Sequence, residues 1–289
     1  MAPVTGPQRP ERAESRVARG EERRSMLSFI EKKSREARMS MRAECRPPRC
    51  GLLIPSSNTM IEQEYGRLLP QAVSAHYQRL PMTTLDDAGI REQDAAMEGA
   101  AGLLGDARVG VLLLCQTAAS FHMGAEWDAA VKRRLSAAAG CPAITAAGTV
   151  VAALRTLGVA RIGLGTPFPA EMNAASAAYL EARGIEVANS AGLGYRDNFG
   201  IALMKPAQVL ELAARANAPD AEAVLLPGGN MPCLPALAAA EQALGKPVLS
   251  TNQCGAWAML SVLGRAAPMK GAGVLLARHF GKFDVAMAG

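Results

Sequence analysis

The stretch Ala223-Val-Leu-Leu-Pro-Gly-Gly-Asn-Met-Pro-Cys233 decides the fold. Four apolar residues read as a strand buried on both faces, because they show no alternation with polar ones. The run stops at Pro227-Gly228-Gly229-Asn230, and an Ala- and Leu-rich amphipathic segment follows from 234. The same strand, polar loop and helix sequence recurs along the chain from Cys50. Short apolar runs at 50–54, 73–80, 109–114, 143–145, 161–165, 185–188, 223–226 and 248–250 alternate with helical patterns. The helices are expected at 60–69, 90–104, 124–139, 147–157, 170–183, 206–217, 234–244 and 253–263. This pattern specifies an α/β fold with parallel sheets.

The unit is also repeated on a larger scale. Residues 106–158 run Asp-Ala-Arg-Val-Gly-Val-Leu-Leu-Leu, helix, Gly-Cys-Pro-Ala-Ile-Thr, helix, Leu-Gly. Residues 220–264 run Asp-Ala-Glu-Ala-Val-Leu-Leu, helix, Gly-Lys-Pro-Val-Leu-Ser, helix, Leu-Gly. Two pseudo-symmetric halves are therefore expected, over 47–158 and 159–280, with residues 1–46 as a basic extension without a packed core. Ligands of open α/β sheets sit beyond the carboxyl ends of the strands. The loops at 55–59, 115–122, 166–173 and 227–233 are thus expected to converge on one cleft.

Charge and composition exclude several classes of function. The chain has 289 residues and a net charge of +5. Residues 1–46 carry 12 Lys and Arg against 7 Asp and Glu, which leaves 19 of each in the remainder. The body beyond 46 has no bulk attraction for a polyanion, and nucleic acid is not an expected partner. No apolar run is long enough to cross a membrane. The six cysteines form no C-x-x-C pair and no ligand spacing with His76, His122 or His279, so no metal site is expected. With no secretory pattern, free thiols in the cytoplasm are the default.

Each strand-end loop offers chemistry beside a bland structural reading. In Pro55-Ser-Ser-Asn-Thr59, Asn58 or Thr59 suits a helix cap, yet Ser57, Asn58 and the backbone N–H groups also suit a carboxylate. In Cys115-Gln-Thr-Ala-Ala-Ser120, a cysteine at a strand end beside a helix start suits a base or nucleophile. Yet the last place of an apolar run favours the core, and alternation points Cys115 and Gln116 opposite ways. Gly228-Gly229 allows close backbone approach to an anion or simply a tight turn. Cys233 follows this loop at a helix start, where a thiolate would be stabilised.

Four segments carry a resemblance. Gly51-Leu-Leu-Ile-Pro-Ser-Ser-Asn-Thr-Met60, Thr166-Pro-Phe-Pro-Ala-Glu-Met-Asn173, Gly229-Asn-Met-Pro-Cys-Leu-Pro-Ala236 and Leu244-Gly-Lys-Pro-Val-Leu-Ser-Thr-Asn252 resemble the aspartate/glutamate racemase superfamily. They look most like its maleate cis–trans isomerase and arylmalonate decarboxylase branch, over residues 49 to about 277. The resemblance implies a cofactor-independent, homo-oligomeric enzyme that uses one or two cysteines, one from each half. It aligns the first cysteine position with Gln116, one residue after Cys115, and the second with Gly228, five residues before Cys233. Asn58 matches the carboxylate-binding Asn, Thr117 the oxyanion-loop Thr, and Phe168 a tyrosine that donates a hydrogen bond.

Three readings follow: an isomerase or racemase of a small (di)carboxylic acid, a decarboxylase of a malonate-type acid, or a carboxylate binder with altered or no chemistry. The expected thiols are Cys233 first and Cys115 second. Ser57, Asn58, Gln116, Thr117, Phe168, Asn173, Gly228, Gly229 and Asn230 are the expected binding residues.

Overall fold

Strand β1 (Arg49–Pro55) is the centre of the first sheet, flanked by β2 (Ser74–Leu80) and β3 (Val111–Leu114), with β4 (Ala143–Thr145) beyond β3. In the second sheet β5 (Arg161–Thr166) lies between β6 (Glu186–Gly192) and β7 (Ala223–Leu226), with β8 (Val248–Ser250) outside. Every pairing between these strands is parallel, and the order 2-1-3-4 is the same in both sheets. This computed structural model describes Met26, residues 47–82, Thr84 and residues 86–288. The expectation for residues 1–46 therefore lies, apart from Met26, outside the described residues. From Pro48 onward the chain forms one unit, with one sheet on either side of residue 158.

The helices that return the chain between strands are α1 (Ile61–Leu68), α2 (Asp87–Asp106), α3 (Thr117–Ala139) and α4 (Ala146–Thr156) in the first half. The second half has α5 (Ala170–Glu181), α6 (Asn198–Ala202), α7 (Pro206–Ala216), α8 (Leu234–Leu244), α9 (Thr251–Val262) and α10 (Gly273–Arg278). Equivalent junctions of the repeat are capped alike. Thr145 Oγ1 accepts from Gly148 N (3.1 Å) at α4, and Ser250 Oγ accepts from Gln253 N (3.4 Å) at α9. Each hydroxyl satisfies an N–H that the first helical turn leaves without an intrahelical partner.

Pleating distributes the apolar strand residues between two clusters. Leu52, Ile54, Leu113 and Ile144 join Leu164, Leu225 and Leu249 in a core that runs through both halves. Leu53, Leu112 and Leu114 face the other way, onto Met97, Leu104 and Leu135 of α2 and α3. Helix α9, buried from Thr251 to Leu260, packs on α4 and on α1 of the other half. At its closest approach Gly255 faces Tyr65, whose hydroxyl would collide with a side chain there. These contacts fix α1, and hence the loop before it, against the second half.

The structure differs from the sequence reading at three places. The helix expected from 124 begins at Thr117, and Gly124 (φ 85°, ψ −175°) breaks it rather than starting it. Strand β6 continues to Gly192, past the apolar run, because an edge strand tolerates Asn189 and Ser190. Helices α6 and α10 carry no periodic signal, being five and six residues long. Among the described residues no helix is long and apolar enough to cross a membrane.

Candidate active site

The four expected loops meet at the carboxyl ends of β1, β3, β5 and β7, around a small cavity between the two sheets. Its walls are Pro55 and Asn58 after β1, Cys115 to Ala118 after β3, Phe168 after β5, and Gly228 to Asn230 after β7. Asn198 and Ile201 of α6 complete the lining. The space is about 20 Å³, room for about one water molecule. A four-carbon diacid can enter only if a wall moves, and α6 is the short element at hand. A groove along Leu193, Tyr195 and Arg215 is wider, but it follows β6 and takes in none of these four loops.

Asn58 is cap and candidate ligand at once. Its Oδ1 accepts from Met60 N (3.0 Å) and Ile61 N (2.9 Å) at the start of α1. Two N–H donors identify the accepting atom as oxygen, so the amide nitrogen, Nδ2, is the end left to donate to a ligand. The side chain is 2 % exposed, so an anion held there would be well shielded from water.

Asn230, by contrast, is fully engaged. Its Oδ1 accepts from Thr59 N (3.0 Å) and Met60 N (3.2 Å), and its Nδ2 donates to Asn198 O (2.6 Å). It therefore straps the β7 loop to α1 of the other half and to α6. Ser57 is likewise committed, donating to Met82 O (2.6 Å) and accepting from Asn198 Nδ2 (2.8 Å). Asn173 does not line the cavity; its amide accepts from Thr166 Oγ1 (2.9 Å) and reaches Ser190 Oγ (3.4 Å). Both residues hold the scaffold rather than the cavity wall.

Gln116 caps α3, its Oε1 accepting from Ala118 N (3.2 Å), and Thr117 opens that helix. The amino-terminal ends of α1 and α3 thus both abut the cavity, and their dipoles favour an anion there. Gly228 gives its N–H to Thr251 Oγ1 (3.1 Å), while Gly229 N has no partner among the described residues. The backbone at Gly228 has φ +126°, and an added Cβ would lie 3.0 Å from Pro167 Cγ. The position that the resemblance aligns with a thiol is thus built for glycine.

The geometry separates the two expected thiols. Cys233 stands at the head of α8, 1 % exposed, and is not among the lining residues. Burial, and then the nearby Glu64, push its thiol well above the ordinary range. Cys115 does line the cavity and is the one titratable lining residue among the described residues. Alternation placed it in the core, but the chain leaves the extended conformation at Gln116 (φ −136°, ψ 88°), so both residues reach the cavity. Burial also pushes the Cys115 thiol well up, and Sγ donates to Leu113 O (3.7 Å). It is a protonated thiol at neutral pH.

Sequence reasoning missed Met82, Asn198, Ile201, Asn252 and Glu64. Glu64, 3 % exposed, accepts from Leu234 N (2.7 Å) and Asn252 Nδ2 (2.8 Å), and burial raises its carboxyl to about 7. Its signal was present: a carboxylate within the apolar stripe Ile61, Tyr65 and Leu68 of α1. Among the described residues no group of three or more His, Cys, Asp or Glu side chains is placed to hold a metal ion.

Fold and site define a two-sheet α/β protein with a small cavity at the strand ends between its halves. Residues 50–276 match the model of the arylmalonate decarboxylase family, and the chain belongs to that family. It is 30 % identical over 242 residues to the maleate isomerase of Alcaligenes faecalis, covering 79 % of this chain and 96 % of the relative. It is 28 % identical over 229 residues to the arylmalonate decarboxylase of Bordetella bronchiseptica, covering 76 % and 92 %. Among solved structures, a cysteine-to-alanine variant of the maleate isomerase of Pseudomonas putida S16 with maleate superposes with a TM-score of 0.78. That pair is 28 % identical and covers 81 % of this chain and 99 % of the relative. A cysteine-to-serine variant of the Nocardia farcinica maleate cis-trans isomerase, holding a covalently bound succinylcysteine intermediate, superposes at 0.76. It is 29 % identical, with 80 % and 98 % covered.

Proposed function

We propose that this protein is a cofactor-independent isomerase of a small dicarboxylic acid, of the maleate isomerase kind. The observation that carries the reading is the convergence of two helix amino termini and the Asn58 amide on a cavity whose one titratable lining group, among the described residues, is Cys115. One carboxylate would bind Asn58 Nδ2 and the Gly229 N–H, in the field of α1 and α3. The Cys115 sulfur then bonds to one alkene carbon, and the π pair moves to the other, stabilised as an enediolate by its carboxylate. The thiol proton ends on that carbon, the new single bond rotates, and loss of the proton and the sulfur regenerates a double bond of opposite geometry.

A decarboxylase of malonate-type acids is the second reading, favoured by the protonated state of Cys115. There the C–C bond to a carboxylate breaks, carbon dioxide leaves, and the pair stays as an enediolate. Cys115 S–H protonates its carbon, and solvent returns the proton to sulfur. We also infer a cytoplasmic protein that assembles as a homo-oligomer; the exposed Phe199 and Leu203 of the α6 region support the latter, and light scattering would read it.

Proton NMR separates the readings. Maleate incubated with the protein is expected to give fumarate, whereas substituted malonates are expected to persist. Loss of carbon dioxide from a malonate with maleate unchanged would select the decarboxylase. Binding of both without turnover would leave a carboxylate binder.

A further inference from the structure

Glu64 is buried, charged when ionised, and unused by the chemistry above. Its two carboxylate oxygens take different partners from the opposite half. Oε1 accepts from Leu234 N (2.7 Å) at the start of α8, and Oε2 accepts from Asn252 Nδ2 (2.8 Å) on α9. The same Asn252 Nδ2 donates to Gly229 O (3.0 Å), and Gly229 lines the cavity. A relay thus runs from a carboxylate through one amide to the turn that contributes the Gly229 N–H. We propose that Glu64 is a positioning residue for this site: its ionised carboxylate, acting through Asn252, holds the Gly228–Asn230 turn in its ligand-binding conformation, and protonation releases it. The inference rests on the proposed carboxylate site for its consequence, though not for the relay itself.

The chemistry of the switch follows from donor counting. An ionised carboxylate accepts at both oxygens, as Glu64 does here. A protonated one must donate from one oxygen, and Leu234 N and Asn252 Nδ2 are both donors. Leu234 N is fixed backbone, so the adjustment falls to Asn252, which can accept only by turning its amide oxygen toward Glu64. Its nitrogen then leaves Gly229 O, and of the turn's two ties to α9 only that from Gly228 N to Thr251 Oγ1 remains. The titratable groups facing Glu64 are Arg67 and Tyr65 on its own helix and the Cys233 thiol at the start of α8. Both thiol and phenol remain protonated at neutral pH, because burial raises each well above its ordinary value. The exchange of charge near neutrality therefore belongs to Glu64, whose carboxyl lies at about 7.

The test uses the full chain and a ligand-free signal. In ¹⁵N–¹H NMR spectra recorded from pH 5.5 to 8.5, the Gly229 backbone amide and the Asn252 side-chain amide should shift together, with one midpoint near neutrality. Glu64→Gln, which presents one acceptor and one donor at every pH, should abolish that transition. Asn252→Ala should leave Gly229 insensitive to pH while Glu64 still titrates, which a carboxyl-carbon label reads; this variant keeps the test valid if Glu64→Gln folds poorly. Succinate affinity by calorimetry should fall at least tenfold from pH 8.5 to 6 in the wild type. It should be weak and almost flat in Glu64→Gln, whose residual slope gives the ligand's own titration. Amide signals that do not titrate, or that titrate equally in Glu64→Gln, overturn the inference whatever binds. A titrating relay without succinate binding at any pH would retain the relay, overturn its role in ligand binding and count against the proposed site.

Discussion

Replacing Asn58 by aspartate separates its two tasks. The wild-type amide oxygen accepts from Met60 N and Ile61 N, while the nitrogen is left for a ligand. Asn58→Asp keeps an acceptor at the head of α1, where a negative charge also suits the helix dipole. Its effect on stability should stay within about 1 kcal/mol, the typical worth of such a cap. Binding should suffer far more. Loss of a donor to a charged oxygen costs about 1.5–3 kcal/mol. A carboxylate facing another at about 4 Å adds roughly 4 kcal/mol of repulsion at an effective dielectric near 20. Since about 1.4 kcal/mol is a factor of ten, dicarboxylate affinity should drop at least about a hundredfold. Asn58→Ala should show the converse balance: a loss of about 1–2 kcal/mol in stability, with a smaller binding defect. Calorimetric titration with succinate, paired with thermal melts, measures both. Asn58→Asp that binds succinate within threefold of wild type would remove Asn58 from the site.

Cys115→Ala should abolish turnover while leaving ligand affinity within a few fold, whereas Cys233→Ala should keep turnover; NMR assays of both variants check this, and the opposite pattern would restore Cys233. Gly228→Ala should cost about 1–3 kcal/mol, because φ +126° is strained for any residue with a Cβ; an unchanged melting temperature would contradict the backbone described. The Glu64 carboxyl, raised to about 7 from an ordinary 4.5, is more comfortable protonated in the folded protein. Its stabilising contribution is full below about pH 4.5 and is lost as pH rises through 7, a span worth about 3 kcal/mol at 1.36 kcal/mol per pH unit. Melting curves should therefore show wild type falling relative to Glu64→Gln between those pH values, and parallel curves would exclude the shift.

The strands were legible because burial on both faces leaves an unbroken apolar run, and Pro or polar residues end it. Their repetition gave the two sheets and located the loops around the cavity. The far end of β6 was hidden because an edge strand need not be apolar, and α6 because a single buried Ile201 makes no period. Side-chain roles in the cavity were less accessible. Asn230 is a strap because it meets Thr59 N, a partner 171 residues away that no local pattern reveals. Which of Cys115 and Cys233 lines the cavity depends on where extended geometry stops. Alternation holds only to the end of β3, and the turn into α3 brings Cys115 to the cavity wall beside Gln116. Cys233 has the helix-start setting that favours a thiolate, yet packing encloses it beside Glu64.

The most direct test is a crystal structure of the Cys115→Ala variant soaked with maleate. The expected result is one maleate between the two sheets, with a carboxylate oxygen about 3 Å from Asn58 Nδ2. A second contact should come from Gly229 N, the alkene carbons should face residue 115, and α6 should be displaced to make room. Maleate ordered elsewhere, or seated in the cavity with its alkene turned away from residue 115 and no contact to Asn58, would contradict the proposed chemistry.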